Sequence, residues 1–197
     1  SVAAYLKRSP RLMARFYLHN ASLGLRDLLG SFSLQQVPLA LLDYGVFADQ
    51  YKGLQNDEVN AGLRADVAPI SLPQIVYTAN AADLYKPIGE LTEKERSVVA
   101  IGFQEGQYIE DDEIVWVAAE IDSKLEASRE LAEFWCDRLE MVALMCNFHT
   151  YKVWLIAPEG FSADAMDLLR QRHAFGSSRR QVEFLKQIIE KEPVGPR

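Results

Sequence analysis

Cysteine, histidine and basic charge are all scarce in this chain of 197 residues. It has two cysteines and three histidines, and they do not recur at the short spacings that zinc ligands require. Lysine and arginine total 21 against 28 aspartates and glutamates, which gives a net charge of −7. This acidic balance disfavours nucleic acid as the main partner, because proteins that grip phosphate backbones carry a basic face.

Long apolar runs and short signature motifs are missing as well. No stretch is apolar for long enough to cross a membrane, and no signal peptide is visible. The glycine-rich loops that bind nucleotides and the nucleophile elbow of hydrolases are also absent. Cys136 and Cys146 lie in an apolar helical pattern. Free buried thiols fit a reducing compartment, so we predict a cytoplasmic protein with no membrane partner.

The pattern of apolar residues and chain breakers predicts an α/β fold with a mixed sheet and flanking helices. Residues 1–73 are predicted to form an N-terminal helical segment packed on a core of residues 74–197, together one compact unit. In the N-terminal segment, helices are predicted at 11–29 and 34–51, and a connector with room for a short strand at 53–73. In the core, strands are predicted at 74–78, 97–103, 114–122 and 151–157, and helical segments at 79–85, 124–148, 162–173 and 179–190.

Residues 113–124, EIVWVAAEIDSK, are the most informative stretch of the chain. An apolar run is followed by Glu120, Asp122 and Lys124. Side chains two residues apart on a strand point to the same face, so these three would share one face if the strand continued. Two carboxylates supply the oxygen ligands that Mg²⁺ prefers, and a lysine stabilises developing negative charge. The stretch therefore predicts a candidate metal and catalytic site, with Glu120 and Asp122 as metal ligands.

This apolar strand, the helix after it and the next strand resemble the PD-(D/E)xK, or restriction-endonuclease-like, superfamily. The similarity covers residues 97–175 and lies in the pattern VWVAAEIDSK, a crossover helix and then YKVWLIAPEG. It implies a core made of a helix, a three-strand meander, a crossover helix and a fourth strand. It also implies Mg²⁺-dependent nuclease chemistry, with Glu120 at the position of the motif acid.

Two departures from that family pattern bear on activity. The family has a lysine two residues after the motif acid, and this chain has Asp122 there. A shifted frame, Asp122-Ser123-Lys124, restores an acid-x-lysine string. The family's other acid belongs on the preceding strand, but residues 97–103 contain none, and Glu105 is the nearest candidate. Both departures point to a lost activity.

Local sequence offers a second interpretation of the same stretch. Ser123-Lys-Leu-Glu126 fits the S-x-x-E capping box, directly before an apolar helical pattern. A helix that began there would place Lys124 in its first turn, away from the strand direction. Asp122 and Ser123 would then start the helix and complement its dipole.

A second candidate site lies near the carboxyl terminus of the chain. Ser177, Ser178, Arg179 and Arg180 precede or open the last predicted helix. Backbone N–H groups at a helix N-terminus bind phosphate, and the neighbouring arginines would add positive charge. The alternative is a serine N-cap followed by two surface arginines.

Three functions follow as hypotheses. The first is a catalytically degenerate nuclease-fold domain that acts as a protein-interaction or assembly module, with another protein or a second copy as its partner and no cofactor. The second is a divalent-metal-dependent nuclease with a migrated lysine, which would use Mg²⁺ at Glu120, Asp122 and Lys124. The third is an unrelated α/β binding domain, which would be favoured if residues 97–103 were not antiparallel to residues 114–122.

Overall fold

The fold is mixed α/β, as the sequence predicts. The helix predicted at 11–29 lies outside the described residues, as do Asp122 and Cys146. The computed structural model describes residues 35–65, 68–80, 98–103, 114–121, 123–145 and 149–191. No helix within these residues is long and apolar enough to cross a membrane.

The first described segment contains a small sheet and two short helices. Strand β1 (Gln36–Pro38) pairs antiparallel with β2 (Pro69–Ser71). Helices α1 (Tyr44–Tyr51) and α2 (Asn56–Arg64) lie between the two strands in the sequence. The prediction of one helix over 34–51 is wrong in its first half, where the chain is first extended and then forms a short 3-10 turn. Helix α1 begins only at Tyr44, and the Asp43 side chain caps it by accepting the Val46 N–H at 3.1 Å.

The predicted connector at 53–73 contains a short strand, β2, and also a helix that was not predicted, α2. The Gln55 N–H donates to the Glu58 carboxylate at 2.9 Å, which satisfies one of the backbone donors that a helix start leaves unpaired. Asp57 and Glu58 also complement the positive end of the helix dipole. Favourable charges and a cap thus stabilise a helix in a stretch of weak apolar periodicity.

The main sheet has five strands in the order in which they follow along the chain. β3, β4 and β5 form an antiparallel meander, while β5, β6 and β7 are parallel to one another. The predicted antiparallel pairing of residues 97–103 with residues 114–122 is therefore confirmed, as is the parallel pair joined by the long helix. The strands are β3 (Gln74–Asn80), β4 (Val98–Phe103), β5 (Val115–Glu120), β6 (Tyr151–Ile156) and β7 (Phe175–Ser177).

Three helices are described in the second half of the chain. They are α3 (Arg129–Met145), α4 (Ala163–Gln171) and α5 (Arg179–Lys191). No strand is predicted between the helical segments 162–173 and 179–190, yet β7 forms there by parallel pairing with β6. The helical turn predicted at 79–85 is wrong in its first two residues, which belong to β3.

Two apolar cores lie on opposite faces of the sheet. On one face, Trp116 and Ala118 of β5 share a buried cluster with Trp154 of β6, with α5 and with side chains from residues 37–75. On the other face, Val115, Val117 and Ala119 pack with side chains of α3 and α4. Because strand side chains alternate between faces, Glu120 belongs to the same face as Trp116 and Ala118.

Candidate functional site

Glu120 lies at the carboxyl end of β5, among apolar neighbours in the sheet. The parallel register pairs Glu120 with Ile156 of β6, and Ile156 in turn pairs with Ser177 of β7. On the other side, Val99 pairs with Ala119, so the antiparallel register continued by one residue brings Val98 opposite Glu120. The two positions that flank Glu120 across the sheet are therefore held by valine and isoleucine.

Lys124 lies outside β5, in an exposed bend. The Ser123 hydroxyl donates to the Leu125 carbonyl at 2.7 Å and accepts the Leu125 N–H at 3.4 Å. This local turn takes the chain out of the strand direction before Lys124 is reached. Lys124 therefore does not continue the strand face of Glu120, and the placement of Asp122 is not described.

Helix α3 begins at Arg129, five residues later than the capping-box interpretation predicts. Its first turn is capped by Ser128, whose hydroxyl oxygen accepts the Leu131 N–H at 3.2 Å. The prediction that Ser123 starts the helix is wrong, because tertiary contacts hold the intervening residues in place. The Ala127 N–H donates to the Gly160 carbonyl at 2.8 Å, and the Ser162 N–H donates to the Ala127 carbonyl at 3.0 Å.

The two serines give a direct test of where α3 begins. Ser128→Ala is expected to lower the free energy of unfolding by about 1 kcal/mol, because it removes the N-cap. Ser123→Ala is expected to stay within about 0.5 kcal/mol of the wild type, since it removes only a turn contact at the surface. Urea denaturation of both variants measures the difference. A larger loss for Ser123→Ala than for Ser128→Ala would contradict the observed helix start.

Acidic, histidine and cysteine side chains do not converge in the described part of the chain. No group of three or more of them there is placed so that it could hold a metal ion. Mg²⁺ needs several oxygen ligands at about 2 Å, and the described residues do not bring such a set together around Glu120.

The second candidate site has its first serine in the interior. Ser177 is fully buried, accepts the Trp154 indole N–H at 2.9 Å and donates to the Leu41 carbonyl at 2.6 Å. These two bonds connect β6, β7 and the 3-10 turn of the N-terminal segment. The Ser177 hydroxyl therefore serves the packing of the fold and does not face a ligand.

Ser178 and Gln181 form a buried pair at the start of α5. The Gln181 side-chain oxygen accepts the Ser178 N–H at 2.8 Å and the Ser178 hydroxyl at 3.0 Å. The Gln181 amide nitrogen donates to the Ala40 carbonyl at 2.9 Å. This internal cap occupies donors that a bound phosphate would need. Its sequence signal is the S-x-x-Q form of the capping box, at residues 178–181.

The two arginines of this candidate site diverge. Arg179 is exposed. Arg180 is partly buried, donates to the Leu54 carbonyl at 2.7 Å and to the Asn56 side chain at 3.2 Å, and lies near the rings of Phe47 and Phe184. Arg180 thus connects α5 to the start of α2. The four predicted phosphate contacts do not converge on one point.

A charged cluster links α3, the residue after α4 and the start of β6. Arg172 pairs with Asp137 at 2.6 Å and with Glu140 at 2.7 Å, and the Tyr151 hydroxyl donates to Glu140 at 2.6 Å. Burial and the Glu140 hydrogen bond raise the pKa of Tyr151 to about 12.

Burial likewise raises the pKa of the Cys136 thiol to about 11, so Cys136 is protonated near neutral pH and has the character of a core residue.

Comparison with known proteins adds no relative. A scan against family models, a search of curated proteins and a search of solved structures each found no match.

Proposed function

We propose that this chain is a catalytically degenerate nuclease-fold domain that acts as a protein-interaction or assembly module. The observation that carries the proposal is the parallel register that pairs Glu120 with Ile156. On the other side, the antiparallel register continued by one residue brings Val98 opposite Glu120. A two-carboxylate metal site at this position needs a second acid on a neighbouring strand or farther along the same strand. The neighbouring positions supply none, and β5 ends at Glu120.

The strand and helix order supports the nuclease-like part of the proposal. An antiparallel three-strand meander, a crossover helix and a parallel fourth strand follow one another, as the PD-(D/E)xK resemblance implies. Glu120 ends the third of these strands, where the resemblance expects the motif acid. The chain differs from the family pattern at the catalytic positions: Asp122 stands where the family has a lysine, and residues 97–103 contain no acid.

The N-terminal segment supports the loss of a catalytic cleft. Side chains from residues 37–75 pack on the sheet face to which Glu120 belongs, in one cluster with Trp116 and Ile156. The Leu41 carbonyl accepts the Ser177 hydroxyl, and the Gly176 N–H donates to the Leu42 carbonyl at 2.8 Å. The chain thus covers much of this face with its own residues, which leaves less room for a nucleic acid strand.

The interaction role rests on the outward side of α3. Met141 and Leu144 are 47% and 59% exposed and lie three residues apart, so they neighbour each other on the helix surface. We call these two residues the α3 outer patch. The chain also has a net charge of −7, which favours a protein partner over nucleic acid. A second copy of the chain is the partner proposed for this patch.

Self-association through the α3 outer patch makes a specific prediction. Sedimentation velocity of the wild type is expected to give a sedimentation coefficient that rises with concentration. The Met141→Lys/Leu144→Lys variant is expected to lose this rise, because two charges in a close apolar contact are costly to desolvate.

Glu133→Lys is the matched control, since it changes the net charge by the same amount at another exposed position of α3. It is expected to behave like the wild type. A wild-type coefficient that does not change with concentration, or an equal effect of both variants, would contradict self-association through the patch.

A further inference from the structure

A cleft of about 400 Å³ lies between the start of α1 and the end of α4. Its volume is within the range of small-molecule sites. Its apolar wall includes Leu42 and Leu169, both buried. Its polar side chains are Asp43, Tyr44, Arg170 and His173, which come from two stretches far apart in the sequence.

Gly45 creates the room between the two opposite charges of the cleft. A Cβ atom at this position would lie 3.0 Å from the Arg170 Nη2, 3.5 Å from the Asp43 Oδ1 and 3.5 Å from the Met166 sulfur. Both charged groups therefore border the same small space. Glycine in a helix costs about 1 kcal/mol relative to alanine, so the residue that leaves this space open also lowers the stability of α1.

The two charged groups do not neutralise each other directly. The ion pair that Arg170 forms is with Asp167, at 3.4 Å. Asp43 uses Oδ1 to accept the Val46 N–H, and Oδ2 takes no part in that bond. A carboxylate and a guanidinium thus face one gap, with His173 nearby and an apolar wall behind them.

We propose that this cleft binds a small amphipathic zwitterion, of the class of α-amino acids with a large apolar side chain. The ligand's ammonium group pairs with Asp43, and its carboxylate pairs with Arg170, which presents the planar fork that carboxylates match. The apolar side chain lies against Leu42, Leu169 and Met166. A phosphate-bearing ligand fits less well, because Asp43 would repel it.

Isothermal titration with L-leucine tests the proposal. Saturable binding is expected, and about tenfold or weaker binding of isoamylamine and 4-methylpentanoate, which each keep one of the two charges. Asp43→Asn and Arg170→Gln are each expected to weaken leucine binding by about tenfold or more. Asparagine is as good an N-cap as aspartate, so the first variant keeps α1 intact.

Two further variants separate binding from folding. Gly45→Ala puts a methyl group into the gap, is compatible with the helix and is expected to abolish leucine binding with little change in the thermal midpoint. Asp167→Asn removes the surface partner of Arg170 and is expected to bind leucine like the wild type. The proposal is overturned if leucine shows no saturable binding, if the single-charge analogues bind equally well, or if Gly45→Ala binds leucine normally.

Discussion

Ser177→Ala is expected to lower the free energy of unfolding by about 2–4 kcal/mol, more than any other exchange of one serine for alanine in the described part of the chain. The substitution removes little volume but leaves the Trp154 indole N–H and the Leu41 carbonyl without their buried partner. Each buried polar group left unsatisfied costs about 1–3 kcal/mol. The loss would fall on the junction between the sheet and the N-terminal segment.

Urea denaturation followed by tryptophan fluorescence measures this loss. Ser123→Ala is the matched control, because the same hydroxyl is removed at a surface turn. A difference of less than about 0.5 kcal/mol between the two variants would mean that the Ser177 hydroxyl does not connect the sheet to the 3-10 turn.

Gly160→Ala is expected to destabilise the fold by about 2–4 kcal/mol more than Gly53→Ala. Both glycines have positive φ, 82° at Gly160 and 74° at Gly53, so alanine is strained at both positions. A Cβ at Gly160 would also lie 2.5 Å from Tyr44 Cζ, whereas at Gly53 it would meet nothing within 4 Å. The Tyr44 ring packs edge-on against Phe161, which restricts its movement.

Thermal and urea unfolding of the two glycine variants isolates the contact from the backbone strain. Gly53→Ala reports the strain alone, and the excess for Gly160→Ala reports the clash with Tyr44. A double variant, Tyr44→Ala/Gly160→Ala, is expected to lose less stability than the two single losses added together, since the ring is then gone. Equal losses for Gly53→Ala and Gly160→Ala would show that Tyr44 does not pack over Gly160.

The central strands can be predicted from their long apolar runs, whereas the edge strand β7 cannot, because its residues have a weak propensity for strands. β5 and β6 were predicted from β-branched and aromatic runs, and their parallel relation followed from the helix between them. β7 was missed, because a Phe-Gly-Ser tripeptide has little strand propensity and becomes a strand only through its pairing with β6.

Helix α3 shows how tertiary contacts override a local signal. The S-x-x-E string at Ser123 is a valid capping pattern, yet the bonds of Ala127 to Gly160 and Ser162 hold Ala127 in a β-bridge with Phe161, and the helix begins only at Arg129. The sequence alone could not reveal a partner more than thirty residues away in the chain.

The candidate site was predictable in part for similar reasons. The apolar run places Glu120 at a strand end, but the identity of its neighbours depends on the register between strands. The sequence does not show whether the serine hydroxyls of the second candidate site are buried. The packing of residues 40–41 against β7 and α5 shows that they are internal. The cleft between Asp43 and Arg170 cannot be predicted from the sequence either, because it depends on how two distant stretches of the chain pack together.

Binding of Mn²⁺ to the wild type and to Glu120→Ala tests the central claim, the loss of the metal site, without any choice of nucleic acid substrate. Electron paramagnetic resonance of free Mn²⁺ measures it, because bound ions leave the free signal. We expect the same weak, unsaturated binding for both proteins up to about 1 mM Mn²⁺, since the register pairs Glu120 with Ile156 and the described residues contain no group of three or more metal ligands. A saturable wild-type site that Glu120→Ala abolishes would contradict the account and favour the active nuclease.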